Sequence, residues 1–143
     1  MNMYESYTRQ SLGSKEYREL LGTAQMVFNA NNAFIIENIL RYDTNSFYNW
    51  SNLMDLTSGG LRKPIKETIT KVSNTRIARL FEKIIYLRNR LFHSYQITDK
   101  DGEQRLATKE ENGNRFVIDE KWLKNFIGLN EKLCLLLHDL RGF

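Results

Sequence analysis

The stretch TRIARLFEKIIYLRNRLFH, from Thr75 to His93, decides the fold. Its apolar residues recur at steps of three and four, the spacing that places side chains on one face of an α-helix. They form one broad stripe: Ile77, Leu80, Phe81, Ile84, Ile85, Leu87, Leu91 and Phe92. A stripe this wide has to pack against other helices, so the stretch predicts a helical bundle.

Two further long helices are predicted, one on each side of this stretch. Apolar residues follow the helical period from residue 15 to about residue 41, and Ser14 is suited to cap the first turn. The polar run NANNA at 29–33 leaves open whether this region is one helix or two, since asparagine is a poor helix former. The last helix is predicted to follow Asp119 as its N-cap.

Shorter elements are predicted between the first long helix and Thr75. Residues 43–56 carry apolar side chains at helical spacing and predict a second helix, which ends at the loop Thr-Ser-Gly-Gly of 57–60. Pro64 suits the first turn of a short helix that runs towards Val72, because a missing N–H costs nothing there.

The period changes from helical to alternating after His93. The segments QIT, QRLATK and RFVI read as short strands, and the dipeptides Asp101-Gly102 and Asn112-Gly113 supply the positive φ values of tight turns. The chain is therefore predicted to be one domain over residues 1–143. Its expected fold is mainly α, an up-and-down antiparallel helical bundle with a small antiparallel β insert at about 96–118 before the C-terminal helix.

Composition excludes several classes of protein. A chain of 143 residues with 41% hydrophobic residues, 8 Gly and 1 Pro is neither disordered nor fibrous. One Cys and two His cannot form an intrachain disulfide or the usual four-ligand zinc site, so we expect no metal and no cofactor. The polar start MNMYESYTRQ and the lack of a long apolar run predict a soluble, cytoplasmic protein with no membrane partner.

Positive charge is concentrated in the middle of the chain. Residues 62–98 hold nine basic and two acidic residues, whereas the flanking segments each hold a slight acidic excess. Clustered Lys and Arg residues favour a polyanion partner, because they release the counterions condensed on phosphates. A solvated helix face is the alternative interpretation of the same cluster.

Arg88 interrupts the apolar stripe of the helix predicted from Thr75 to His93. On a helical wheel that starts at Ile77, Arg88 lies at about 20°, in the centre of the stripe. A guanidinium cannot lose its charge, so it has to meet an anion, an acidic side chain or water. Arg88 is therefore either an anion receptor in a cleft or at a subunit interface, or a long side chain that extends to the surface.

Three residues near Arg88 bear chemically useful groups. Asn89 and His93 are i, i+4 neighbours, so the amide is expected to bond one imidazole nitrogen and leave the other free for proton transfer. Tyr95 would return to the side of Arg88 if the helix lasted that long. Arg88 and His93 point about 140° apart, but a two-fold dimer would line one groove with both residues of both chains.

The segment RNRLFHSY, from Arg88 to Tyr95, resembles the R-x4-6-H motif of the HEPN superfamily. The form with Asn after the Arg and with H-x-Y at the end is similar to that of HEPN toxins. The resemblance implies a homodimeric, metal-independent endoribonuclease whose composite site takes Arg and His from both chains. It implies cleavage by attack of the ribose 2′-OH on phosphorus, within toxin–antitoxin or abortive-infection (antiviral) defence.

The same resemblance implies a role for each residue of the motif. His93 would be the general base or acid, Arg88 would stabilise the charge on phosphorus, and Asn89 would fix the His tautomer. Tyr95 would contact the phosphate or stack on a base. In relatives with a cognate nucleotidyltransferase antitoxin this tyrosine is AMPylated, so Tyr95 is a candidate modification site and such an enzyme a candidate partner.

The expected substrate is RNA, with tRNA and mRNA as the candidates. The basic residues predicted to contact its backbone are Arg62, Lys63, Lys66, Lys71, Arg76, Arg79, Lys83 and Arg90. The alternative function is a HEPN-like module that does not cleave RNA and serves dimerisation, nucleotide sensing or inhibition of a partner.

Overall fold

Helices account for 65% of the structure, a computed structural model that describes residues 3–142. The α-helices are α1 (Lys15–Tyr42), α2 (Trp50–Asp55), α3 (Arg62–Glu67), α4 (Ile69–Val72), α5 (Arg76–Phe92) and α6 (Glu120–Arg141). Strands β1 (Tyr95–Thr98), β2 (Gln104–Lys109) and β3 (Arg115–Ile118) form a small antiparallel sheet before α6. Short 3-10 helices cover Met3–Tyr7 and Ser58–Leu61. The predicted fold class is confirmed.

The N-caps predicted for α1 and α6 are both present. Ser14 Oγ accepts a hydrogen bond from the Tyr17 N–H at 3.1 Å, and Asp119 Oδ1 accepts one from the Trp122 N–H at 2.8 Å. Each cap satisfies one of the N–H groups that a helix start leaves without an intrahelical partner. Both helices therefore begin where the sequence predicts.

The polar run within α1 anchors the helix to α6 and does not break it. Asn31 is buried, and its Nδ2 donates to Asn130 O at 2.8 Å and to Asn130 Oδ1 at 3.0 Å. These bonds satisfy a buried amide, which would otherwise cost free energy on folding. The question of one helix or two is thus answered in favour of one.

The three long helices run up, down and up. Helices α1 and α6 are parallel, because Asn31 bonds Asn130 and, further along, Tyr42 Oη donates to Leu140 O at 3.0 Å. Helix α5 runs the other way, since its first turn shares a hollow with Leu140 and Lys83 shares one with Lys132. The successive long helices are therefore antiparallel, as predicted.

Phe28 of α1 lies where the three long helices meet. Its ring stacks on Phe81 of α5 at 6.3 Å and on Phe126 of α6 at 6.4 Å between ring centroids. All three rings are buried. Stacked aromatic rings bury large apolar areas, so this cluster fixes how α5 lies against α1 and α6.

The helix predicted over 43–56 is wrong in its first half. The carboxylate of Asp43 accepts a hydrogen bond from the Tyr48 N–H at 2.8 Å and holds the segment before α2 as a loop. Asn49 caps α2, so the helix starts there, and only one of its residues, Leu53, is buried. The other apolar residues whose spacing predicts this helix are exposed: Phe47, Trp50, Met54 and Leu56.

The short helix predicted after the glycine loop is divided in two. Pro64 occupies the first turn of α3 as predicted, but the chain leaves helical geometry at Thr68, with φ −124° and ψ −79°. The Thr68 hydroxyl donates to Pro64 O at 2.7 Å, a local bond that competes with the helix ladder.

The β insert is a three-stranded antiparallel sheet with strand order β1-β2-β3. Tyr95 faces Ala107 across the first pair, and Leu106 faces Ile118 across the second. The predicted turn glycines are confirmed, since Gly102 has φ 82° and Gly113 has φ 91°. The sheet spans 95–118, within one residue of the prediction.

Tyr17 fastens this sheet to α1. Its buried hydroxyl donates to Ile118 O at 2.6 Å and accepts from the Leu106 N–H at 3.0 Å. The Arg105 guanidinium lies 4.7 Å from the centre of its ring. Burial, the largest influence, raises the pKa of Tyr17 above its usual value. One hydroxyl thus joins two strands to the first helix.

We expect Tyr17→Phe to lower the free energy of unfolding by about 1–3 kcal/mol, because it leaves a strand N–H and a carbonyl without their partner. Urea unfolding at neutral pH measures the change. The matched control is Tyr42→Phe, which removes a half-buried hydroxyl with one bond, to Leu140. A loss at Tyr17 no larger than that at Tyr42 would contradict the anchoring role.

Among the described residues, no helix combines the length and the apolar content that a bilayer crossing requires.

Candidate active site

The motif segment lies where α5 ends and turns into β1. His93 is the C-cap of α5, with φ −94° and ψ 40°, and its N–H donates to Asn89 O at 2.9 Å. The Ser94 hydroxyl donates to Leu91 O at 2.7 Å. These bonds satisfy carbonyl groups of the last turn, so the helix can end in an exposed position.

Arg88 lies between two phenyl rings. Its guanidinium carbon is 4.6 Å from the centre of the Phe92 ring and 5.5 Å from that of Phe28. The side chain is half-buried, and cation–π attraction of this kind contributes about 0.5–2 kcal/mol. Sequence reasoning missed Phe28, because the contact joins residues far apart in the chain and nothing local to Phe28 indicates it.

The Arg88 guanidinium keeps most of its donors free of protein partners. Within residues 3–142 it forms no ion pair, and its one hydrogen bond, from Nη1 to Asn89 Oδ1, is long at 3.4 Å. A charged, half-buried donor group without an anion is poised to bind one, because a phosphate oxygen would replace the lost hydration.

The predicted hydrogen bond between the Asn89 amide and the His93 imidazole does not form. The i, i+4 backbone bond from the His93 N–H to Asn89 O is present, but the two side chains turn to other partners. The Asn89 amide oxygen accepts from Arg88 instead. The exposed His93 ring packs on the Phe92 ring at 5.2 Å between centroids and at an angle of 84°.

Tyr95 does not return to the side of Arg88. Helix α5 ends at Phe92, before Tyr95, which is the first residue of β1 and is paired with Ala107. The side chain is 46% exposed, and its hydroxyl makes no hydrogen bond with any residue that the structure describes. The hydroxyl is thus accessible beside the end of α5.

Arg90, one of the predicted RNA contacts, is engaged within the chain. Its Nη1 donates to Lys109 O at 2.7 Å, and its guanidinium carbon lies 5.6 Å from the centre of the Tyr86 ring. The Tyr86 hydroxyl donates to the Glu110 carboxylate at 2.5 Å, which raises the pKa of Tyr86. These contacts hold the end of β2 against α5.

The other basic residues lie away from Arg88 and His93. Arg76, Arg79 and Lys83 line a groove between α5 and α6, and along the helix axis Lys83 is about 15 Å from His93. Lys66 and Lys71 are exposed on α3 and α4. Arg62 and Lys63 form ion pairs with Glu82 at 2.9 Å and Glu67 at 3.9 Å.

Within the described part of the chain, no group of three or more His, Cys, Asp and Glu side chains is placed to share a metal ion. Comparison with protein-family models, with curated proteins and with solved structures gives no match to this chain.

Proposed function

We propose that this chain is a metal-independent endoribonuclease of the HEPN type, with a composite site formed by two copies. The observation that carries the proposal is the state of Arg88. A permanent cation stands in an apolar helix face, held between two rings, with no carboxylate partner in the described structure. An exposed histidine follows five residues later, and its ring also packs on Phe92.

The proposed reaction is an intramolecular transesterification of RNA. The ribose 2′-oxygen attacks the adjacent phosphorus, the bond from phosphorus to the 5′-oxygen breaks, and the products carry a 2′,3′-cyclic phosphate and a 5′-OH. His93 takes the proton of the 2′-OH or gives a proton to the leaving 5′-oxygen. Arg88 donates hydrogen bonds to the phosphoryl oxygens, where negative charge accumulates.

Two copies of the chain supply what one copy lacks. General acid and general base catalysis need two proton-transfer groups, and the motif provides one histidine per chain. Phe92 (65% exposed) lies beside Arg88 at the end of α5, and Tyr95 (46% exposed) follows at the start of β1, so a second copy has apolar area to cover. A two-fold axis there would bring two arginines and two histidines into one groove.

The proposed biological role is that of a toxin or abortive-infection effector. AMPylation of Tyr95 by a cognate nucleotidyltransferase is the proposed silencing step. The accessible Tyr95 hydroxyl, close in sequence to His93, supports this part of the proposal, because a bulky anionic group there would compete with RNA phosphate.

The decisive experiment is RNA cleavage without divalent metal. The purified chain is incubated in EDTA with tRNA and with an mRNA transcript, and the fragment ends are identified by mass spectrometry. We expect 2′,3′-cyclic phosphate ends, and no cleavage of an oligonucleotide with 2′-O-methyl groups throughout. Cleavage that requires added metal, or that leaves 3′-OH ends, would overturn the proposed mechanism.

A non-catalytic dimerisation or nucleotide-sensing module is the second candidate function. It is favoured by the bond from Arg88 to Asn89, because the amide is then occupied and does not orient His93. A folded dimer that binds RNA or nucleotide but leaves both substrates intact in EDTA would support this candidate over the nuclease.

A further inference from the structure

An open groove of about 600 Å³ runs between α5 and α6, away from the candidate active site. Arg76, Arg79 and Lys83 stand along its α5 side, and Lys132 stands on its α6 side. All four side chains are exposed. None of them forms an ion pair or a side-chain hydrogen bond with another described residue. Four cations therefore line the groove without an ion-pair partner among the described residues, which favours an anionic ligand.

The floor of the groove is apolar. It is formed by Leu80, Leu135 and Leu136, and Leu135 leaves 55% of its surface in water. An exposed leucine alone is ordinary, but here it lies within a ring of cations. The apolar floor and the four basic side chains along the edges of the groove together favour a ligand that is both apolar and acidic.

The groove continues towards the C-terminal end of α6. A second hollow of about 310 Å³ shares Arg76 and Leu136 with the first and extends to Ser73 and Asn74. Along α5, Arg76 and Lys83 are about 10 Å apart, the length of about two turns of a bound helix. Among the described residues that line the two hollows, Asp139 is the only acid, and it lines the second, so the acidic residues of a ligand are expected over the first.

We propose that this groove binds an acidic amphipathic helix of a partner protein. Such a helix would place apolar residues at i, i+3 or i+4, and i+7 on the leucines. Its Asp and Glu residues would lie beside Arg76, Arg79, Lys83 and Lys132. The proposal does not depend on ribonuclease activity, because the groove and the candidate active site share no residue.

The lining of the groove fits a protein helix better than RNA. Among the described residues, those that line the first hollow include no aromatic side chain for stacking on a base, and no amide or hydroxyl for reading a base edge. RNA would satisfy the cations but leave the leucines without an apolar partner. RNA binding by Arg76, Arg79 and Lys83, which the sequence predicts, is the competing interpretation. The experiment therefore has to distinguish a helical peptide from RNA as the ligand of this groove.

A displayed library of randomised helical peptides, selected against the full chain, tests the proposal. We expect the enriched peptides to combine Glu or Asp residues with apolar residues at the spacing given above. In fluorescence anisotropy, Arg79→Glu with Lys83→Glu should weaken a selected peptide by at least about tenfold, since like charges oppose each other across an interface. Leu135→Ala should also weaken it, because the apolar floor is reduced.

The matched control is Lys100→Glu with Arg115→Glu. It changes the net charge by the same amount at two exposed positions of the β insert that form no ion pair. The selected peptide should bind this variant as it binds the unaltered chain. Equal loss with both pairs, or no loss with the groove pair, would overturn the proposal. So would a selection that enriches basic or uncharged peptides.

A single-stranded RNA oligonucleotide serves as the competing ligand in the same assay. We expect the selected peptide to remain bound when the RNA is added at low concentration. RNA binding that falls on Arg79→Glu with Lys83→Glu and that displaces the peptide would assign the groove to nucleic acid and overturn the proposal.

Discussion

Replacing His93 with alanine should lower the rate of RNA cleavage by about 10²–10⁴-fold, the contribution expected of a positioned general acid or base. The substitution should leave the fold intact, because the ring is exposed and touches Phe92 only at its edge. Single-turnover cleavage of labelled RNA in EDTA measures the rate, and circular dichroism with urea unfolding checks the fold.

The other histidine of the chain provides the control. His138 lies on α6, 4.8 Å from the Phe34 ring, and is expected to have no part in catalysis. His138→Ala should retain most of the cleavage rate, even if it lowers stability. Cleavage that is unchanged in both variants would remove His93 from the mechanism.

The long helices could be predicted because each carries its own signal. The stripe after Thr75 and the caps Ser14 and Asp119 are local patterns, and local physics decides them. The run at 29–33 could not be interpreted locally. Its asparagines are poor helix formers, yet Asn31 finds its partner, Asn130, on another helix. Tertiary hydrogen bonding thus overrides a weak propensity.

The helix predicted over 43–56 does not form in its first half because side chains there bond the backbone N–H groups. Asp43 and Asn49 both bond backbone N–H groups, and each bond gives the chain an alternative to the helix ladder. Apolar residues at helical spacing were therefore misleading. Phe47 and Met54 follow the pattern but remain exposed in the described structure.

The candidate site was predicted in its residues but not in its geometry. Spacing places Arg88 in the apolar face of the helix, and in the structure its side chain is half-buried and contacts Phe28 and Phe92. The bond expected between the Asn89 amide and the His93 imidazole is absent, because the amide accepts from Arg88 and the imidazole packs on Phe92. The helix also ends at Phe92, before Tyr95. Where a helix ends depends on the strand that follows, and β1 is held by pairing with β2. Helical spacing alone could not give this.

Replacing Arg88 with methionine is expected to move activity and stability in opposite directions. Cleavage should fall by about 10²–10³-fold, because the donors for the phosphoryl oxygens are lost. The free energy of unfolding should rise by about 1 kcal/mol, because removing the desolvation cost of a half-buried charge outweighs the lost cation–π attraction, and the flexible apolar side chain keeps contact with Phe28 and Phe92. Urea unfolding and single-turnover cleavage measure the two effects.

A loss of activity together with a gain in stability would distinguish an arginine kept for function from one kept for packing. If Arg88 mainly held the rings together, its removal would lower stability and activity in parallel. The control is Arg41→Met, at an exposed position on the last turn of α1, which should change the free energy of unfolding by less than about 0.5 kcal/mol. A destabilised Arg88→Met variant that still cleaves RNA would show that the cation is retained for packing. A stabilised, inactive variant would show that the chain gives up folding stability to keep an anion receptor at the end of α5.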